Sequence, residues 1–161
     1  MSSPTEFDAR GFRDALGRYA TGVALVIART PDGGIAGMTI NSFASVSLDP
    51  PLVLWSMRSG TTSAAAFRSA GGFTVSILGA EHEDIARRCA RADCEKLDNL
   101  DLVDTASGHA RLRDAIVWFD CTTWATHPGG DHDIFIGAVG DFGSRPGSTL
   151  IFQDGRFSVS G

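Results

Sequence analysis

The stretch from Gly37 to Leu54 constrains this fold more than any other part of the chain. Met38, Ile40, Ala44, Val46 and Leu48 hold the even positions, and Thr39, Asn41, Ser45 and Ser47 the odd ones. Alternation of that kind predicts an extended strand with one apolar and one polar face. The polar face carries hydroxyls and an amide but no charge. A solvated strand usually carries Lys or Glu there, whereas short neutral donors and acceptors let a planar ligand lie close and hydrogen-bond along its rim. An edge strand with ordinary Thr and Ser accounts for the same pattern, because both residues suit a pleated surface. Asp49-Pro50-Pro51 ends the ladder, and Leu52 to Met57 begins a new apolar strand.

Around this stretch the chain alternates short strands with turn signals. Phe12, Ala15, Leu16 and Tyr19 recur at helical spacing after a Thr5–Asp8 capping box, predicting a helix from about 8 to 20 with that stripe packed on a sheet. Residues 23–29 and 35–47 are expected to form a hairpin across Pro31-Asp32-Gly33-Gly34. Arg58-Ser59-Gly60-Thr61-Thr62-Ser63 leads into an alanine-rich helix near 64–68, ended by Gly71-Gly72. Free backbone N–H groups, the helix dipole and clustered hydroxyls beside Arg58 suit a phosphate; simple N-capping explains the same residues. A strand over 73–78 and a short helix near 81–89 follow, then an aperiodic stretch, 91–110, expected to be a long loop. Residues 115–126 and 134–139 pair across Pro128-Gly129-Gly130-Asp131, and a last hairpin joins 150–152 to 157–159. About seven or eight strands and two or three helices predict an antiparallel barrel with helices in its crossovers.

Composition excludes several classes. The 161 residues suit one domain, and 43% hydrophobic against 20% charged residues is ordinary for a globular protein. A net charge of −5 with scattered basic residues argues against a nucleic-acid partner. The longest apolar run falls short of a membrane span, and the N-terminus lacks the features of a signal peptide. Three cysteines, an odd number, fit a reducing cytoplasm. Neither the Cys89/Cys94 spacing nor His127, Asp131, His132 and Asp133 fits a standard metal site. Catalytic-triad, metalloprotease, P-loop and Rossmann signatures are absent.

These segments together resemble the short-chain flavin reductases, the NAD(P)H:flavin oxidoreductase components of two-component flavin monooxygenases. The likeness runs from Phe12 to Phe157. It is carried by Phe12–Val23, by Gly37–Phe43 with Ser45–Leu52, by Thr61 and Ser63, by Phe73–Leu78 and by Gly130–Val139. The resemblance implies a mainly β, antiparallel split barrel of Greek-key type, homodimeric, spanning residues 1–161. It implies FMN or FAD held against the 38–47 strand by Met38, Thr39, Ile40, Asn41, Ser42, Ser45, Val46 and Ser47. The flavin phosphate falls at Arg58, Ser59, Thr61, Thr62 and Ser63. Ser76 stands where the family usually has a flavin-side Asn, and His132 matches a histidine placed beside the nicotinamide of NADH or NADPH. Reduced flavin then passes to a partner monooxygenase; a barrel that binds flavin without turning over NAD(P)H is the alternative.

Overall fold

The structure is a computed structural model that describes residues 7–90 and 97–161. Thr5, Glu6 and Cys94 therefore lie outside the described residues. In chain order the elements are α1 (Ala9–Gly17), β1 (Thr21–Gly22), β2 (Ala24–Arg29), β3 (Ile35–Ile40), β4 (Ala44–Leu48), β5 (Pro51–Arg58) and α2 (Thr62–Ala70). They continue with β6 (Gly72–Ile77), α3 (Glu83–Cys89), β7 (Leu102–Asp104), β8 (Ala110–Leu112), β9 (Val117–Gly129), β10 (His132–Ser144), β11 (Leu150–Gln153) and β12 (Arg156–Val159). The fold is mainly β, as expected.

A seven-stranded sheet in the order β3-β2-β6-β9-β10-β5-β4 forms the body, with every pairing antiparallel. Its two edges, β3 and β4, are joined by only Asn41, Ser42 and Phe43. The sheet therefore has to curl until its ends meet, and β3 does contact β5. Among the described residues no ladder joins them, and the Ser42 side chain is the one hydrogen-bonded across the seam. The Ser42 hydroxyl donates to the Ser56 carbonyl at 3.0 Å and accepts from the Ser56 N–H at 3.0 Å. The result is a barrel split along one line.

That seam corrects the expectation of one strand over 35–47. Asn41–Phe43 break it, and β4 belongs to the opposite edge. Val46 and Leu48 do not face a core: both are exposed, Leu48 to 94%.

Two apolar clusters lie on either side of the sheet. Inside the barrel, Trp55 stacks on Phe135 (centroids 4.5 Å apart, planes 10° apart) and meets Phe67 and Phe73 edge-on. Outside, Leu25, Ile27, Leu78, Ala86, Leu112 and Leu150 pack together under α3, β8 and β11. Strand β2 feeds both, with Ala24, Val26 and Ala28 inward and Leu25 and Ile27 outward. Burial on both faces explains its unbroken apolar sequence. Helix α2 contributes Ala64 and Phe67 to the barrel core, and Gly71 at φ +74° ends it in a left-handed cap.

Two further expectations are corrected. The 91–110 loop contains, within its described part, a short 3-10 turn (Leu97–Asn99) and β7, which pairs with β8 to cover the second cluster. Leu97, Ala110 and Leu112 are buried there, so contacts distant in sequence order a stretch with no periodicity of its own. Helix α1 starts at an Asp8 N-cap that accepts from the Gly11 N–H, but none of its residues is buried. Its stripe of Phe12, Leu16 and Tyr19 faces outward.

Candidate functional site

A cavity of about 330 Å³ opens beside the seam of the barrel. Strand β3 and the residues after it supply Met38, Thr39, Ile40, Asn41 and Ser42; the end of β5 supplies Ser56, Met57 and Arg58; the α2 start supplies Thr61 and Ser63. His132, first residue of β10, and Ala90, just after α3, complete the wall. Four separated segments thus converge, and most of the residues expected at a ligand site lie together. Strand pairing explains the convergence, since His132 stands directly opposite Arg58 in the β10–β5 ladder.

The wall is graded chemically. Thr39 places a buried hydroxyl oxygen there that has no hydrogen-bond partner among the described residues. A buried hydroxyl left without a partner costs free energy, so it marks a place where a ligand polar atom fits. At the other end, Thr61 caps α2 by accepting from the Ala64 N–H at 3.1 Å, and its own hydroxyl donates to the Arg58 carbonyl at 3.3 Å. That bond folds Arg58 and the helix start into one tight loop through Gly60, at φ +76°, where a side chain would be strained. The N–H groups of the first helical turn lack intrahelical partners and carry the positive end of the dipole. An exposed guanidinium, a helix start and the Ser63 hydroxyl form a site suited to an anion of phosphate type.

His132 is oriented rather than free. Its Nδ1 lies 2.7 Å from Asp131 Oδ1. Asp131 is held below the ordinary carboxylate range, first by this hydrogen bond and then by the imidazole charge. The neighbouring Asp133 points to the other side of the strand. It accepts from the Ser59 hydroxyl at 3.0 Å and from Arg68 Nε at 3.0 Å, and Arg68 also reaches it through Nη2.

Six expected residues lie outside this cavity. Ser45, Val46 and Ser47 sit on β4 beyond the break at 41–43, at the opposite sheet edge. Ser59 spends its hydroxyl on Asp133, and Thr62 is exposed on the outer side of the helix start. Ser76 is fully buried and its hydroxyl accepts from the Leu112 N–H at 3.2 Å, so it braces β8. Ser56, Met57 and Ala90 were missed. Ser56 carried a faint signal as the lone polar residue within an apolar strand.

A second, more apolar cavity of about 150 Å³ continues from the first. The two share Thr39, Ile40, Asn41 and Ala90, and Val23, Phe152 and Phe157 close the far side. Phe152 and Phe157 stand 5.2 Å apart, and the Arg87 guanidinium covers Phe157 at 4.7 Å. A long groove results, cationic at one end and aromatic at the other. It suits a ligand with a phosphate, a polar-rimmed ring and an apolar ring edge.

Comparison with known proteins identifies the family. The chain is 41% identical over 150 residues to the FMN reductase (NADH) SmoA of Agrobacterium fabrum, covering 93% of this chain and 85% of that protein. Its fold superposes on the styrene monooxygenase flavin reductase of Pseudomonas putida with a TM-score of 0.85 and 33% identity, over 93% and 97% of the two chains. It also matches the NADH:FAD oxidoreductase of Streptomyces globisporus in complex with NAD and FAD fragments, with a TM-score of 0.87 and 31% identity over 98% and 96%. The description "Flavin reductase like domain" matches residues 16–160, and the chain belongs to that family.

Proposed function

We propose that this chain is an NAD(P)H-dependent flavin reductase that works as one split-barrel domain over residues 1–161. The flavin is FMN or FAD and NADH is the favoured donor, since the relatives named above include an FMN reductase (NADH) and an NADH:FAD oxidoreductase. The observation that carries the proposal is the convergence of Thr39, Asn41, Arg58, Thr61, Ser63 and His132 on one groove. Thr39 and Asn41 hydrogen-bond the polar rim of the flavin. Arg58, Ser63 and the start of α2 hold its phosphate, and Phe152 and Phe157 border its apolar edge. His132, fixed through Nδ1 by Asp131, presents Nε2 to the nicotinamide amide or diphosphate. Flavin and nicotinamide themselves supply the hydride chemistry. The protein's task is to hold two rings in register and exclude water, which asks for no nucleophile and no metal.

Reduced flavin serves a partner flavin-dependent monooxygenase, as the reductase component it resembles does by name. The chain acts as a homodimer through its exposed apolar surfaces. The setting proposed is the cytoplasm; no described helix is long and apolar enough to cross a membrane.

One assay tests the activity. Purified protein is mixed with FMN and NADH under anaerobic conditions, and flavin absorbance is followed. Bleaching at a rate proportional to protein is the expected result. Flavin binding without bleaching would reduce the protein to a flavin carrier, and absence of binding would refute the assignment.

A further inference from the structure

Beside the backbone pairing of His132 with Arg58, the Asp133 side chain pins the turn that carries His132 to the 58–61 loop. Asp133 follows His132 in β10 and points to the opposite side of the sheet, as strand alternation requires. Its Oδ1 accepts the Ser59 hydroxyl at 3.0 Å, and its Oδ2 accepts Arg68 from the last turn of α2. The Ser59 N–H in turn donates to the Asp131 carbonyl at 3.0 Å. Ser59 lies between Arg58 and Gly60, in the loop that the Thr61–Arg58 bond closes. Both carboxylate oxygens of Asp133 are therefore spent on the phosphate loop and the helix behind it. The Asp133 side chain is 13% exposed and does not line the groove.

We propose that Asp133 is a positioning residue that couples the two halves of the site, so that order at the phosphate loop is transmitted to His132. This rests on the flavin-reductase reading above. Phosphate at Arg58 and Ser63 holds the 58–61 loop, Ser59 holds Asp133, and Asp133 sets the first residues of β10, including the imidazole. Flavin phosphate thus prepares the nicotinamide end of the groove before the donor arrives.

The charge of Asp133 makes this testable by sign. A carboxylate behind a phosphate site repels the phosphate, and Arg68 is neutralised by pairing with it. If Asp133 acted through its field alone, Asp133→Asn would tighten FMN binding by removing a repulsion and releasing Arg68. A positioning role requires the reverse.

The experiment compares wild type, Asp133→Asn and Ser59→Ala in fluorescence titrations with FMN and riboflavin, and in steady-state reduction with NADH. The expected result for Asp133→Asn is FMN affinity lower by about tenfold, an order typical of losing charge-assisted hydrogen bonds. Riboflavin affinity should stay within about twofold of wild type. The KM for NADH should rise severalfold with FMN, while kcat changes little. Ser59→Ala removes one bond of the pin and should shift the same constants in the same directions by less. FMN affinity unchanged or tighter in Asp133→Asn overturns the pin. So does an equal loss for both flavins, which would mark general loosening of the barrel. Wild type that binds neither flavin removes the functional reading and the pin with it, whereas wild-type binding with a tighter variant removes the pin alone.

Discussion

Single atoms decide how the groove works. The Thr39 hydroxyl is buried with no partner among the described residues, so it stabilises nothing in the free protein. Thr39→Val keeps the shape of the side chain and should leave the unfolding midpoint unchanged or slightly higher. Flavin affinity should fall by about 1 kcal/mol, the net worth of one hydrogen bond, in a fluorescence titration. Unaltered affinity would place the flavin rim elsewhere. His132→Ala should behave in the opposite way. Flavin binding should persist while kcat/KM for NADH drops roughly tenfold, the scale of one lost positioning contact; stopped-flow reduction beside a flavin titration separates the two. A third residue pair lies away from the groove. Asp120 is 2% exposed and its Oδ1 lies 2.6 Å from His109 Nδ1. Burial pushes its carboxyl up, but hydrogen bonds from His109, then Thr105 and Ser107, outweigh that and leave it below its ordinary value of 3.8. A carboxylate depressed in the folded state stabilises the fold above its unfolded pKa, and that stability is lost as pH falls through the folded value. Urea unfolding at pH 6 and pH 3 should therefore show a larger acid loss for wild type than for His109→Ala. Equal losses would mean that the pair is uncoupled from folding.

Strands and helices were legible in the sequence wherever one local rule acted alone. The Asp154-Gly155 hairpin, the β9–β10 pair, the α2 cap at Thr61 and the two-sided burial of β2 each follow from turn chemistry, capping or an apolar run, and each is found, although β10 runs to Ser144, well past the expected 139. That Arg58, Thr61, Ser63 and His132 come together on one cavity was foreshadowed by a hydroxyl-rich helix start and a Gly-Gly-Asp turn, both of which declare themselves locally. What failed was decided by closure. Alternation from Met38 to Leu48 reads as one strand, because a period of two does not record which sheet edge each half joins. The break at 41–43 exists because the barrel must cross its own seam there, and it carries Ser45, Val46 and Ser47 away from the groove. Ser76 entered through the resemblance alone, and its hydroxyl is taken by the Leu112 N–H of β8, a backbone partner that no local pattern announces. The seam itself gives a test. Ser42 is the only side chain hydrogen-bonded across it among the described residues, accepting from and donating to Ser56. Ser42→Ala leaves the Ser56 N–H without that partner and should cost about 1–2 kcal/mol. In a chain of this length that corresponds to roughly 2–4 °C of melting temperature per kcal/mol. A variant melting with wild type would show that solvent replaces the bridge and that the seam needs no pin.

At the scale of the whole molecule, the apolar groups left outside are as informative as those inside. Phe7, Phe12, Leu16 and Tyr19 surround α1, Val46 and Leu48 lie on edge strand β4, and Trp124 and Phe142 project from β9 and β10. Trp118, by contrast, packs on the second cluster and lies under the Arg111 guanidinium at 4.4 Å, so it is satisfied within its own chain. Helix α1 cannot owe its order to the core, since it buries nothing, and a nine-residue helix is marginal in water. Edge strand β4 presents unpaired backbone groups beside Leu48, which soluble proteins normally blunt with charge or cover. A second copy of the chain, as proposed above, would relieve both conditions at once by burying the apolar stripe of α1 and the β4 edge. Because Leu48 is 94% exposed, a charge introduced there disturbs no packing within the protomer. Leu48→Asp should therefore fold, yet sediment at the 17.0 kDa of one chain where wild type sediments at the mass of two. Its melting temperature should also be lower than that of wild type and independent of protein concentration, because assembly no longer draws the folding equilibrium. A wild-type protein that sediments as a single chain at micromolar concentration and still reduces FMN would refute the dimer, and α1 would then need another partner to hold it.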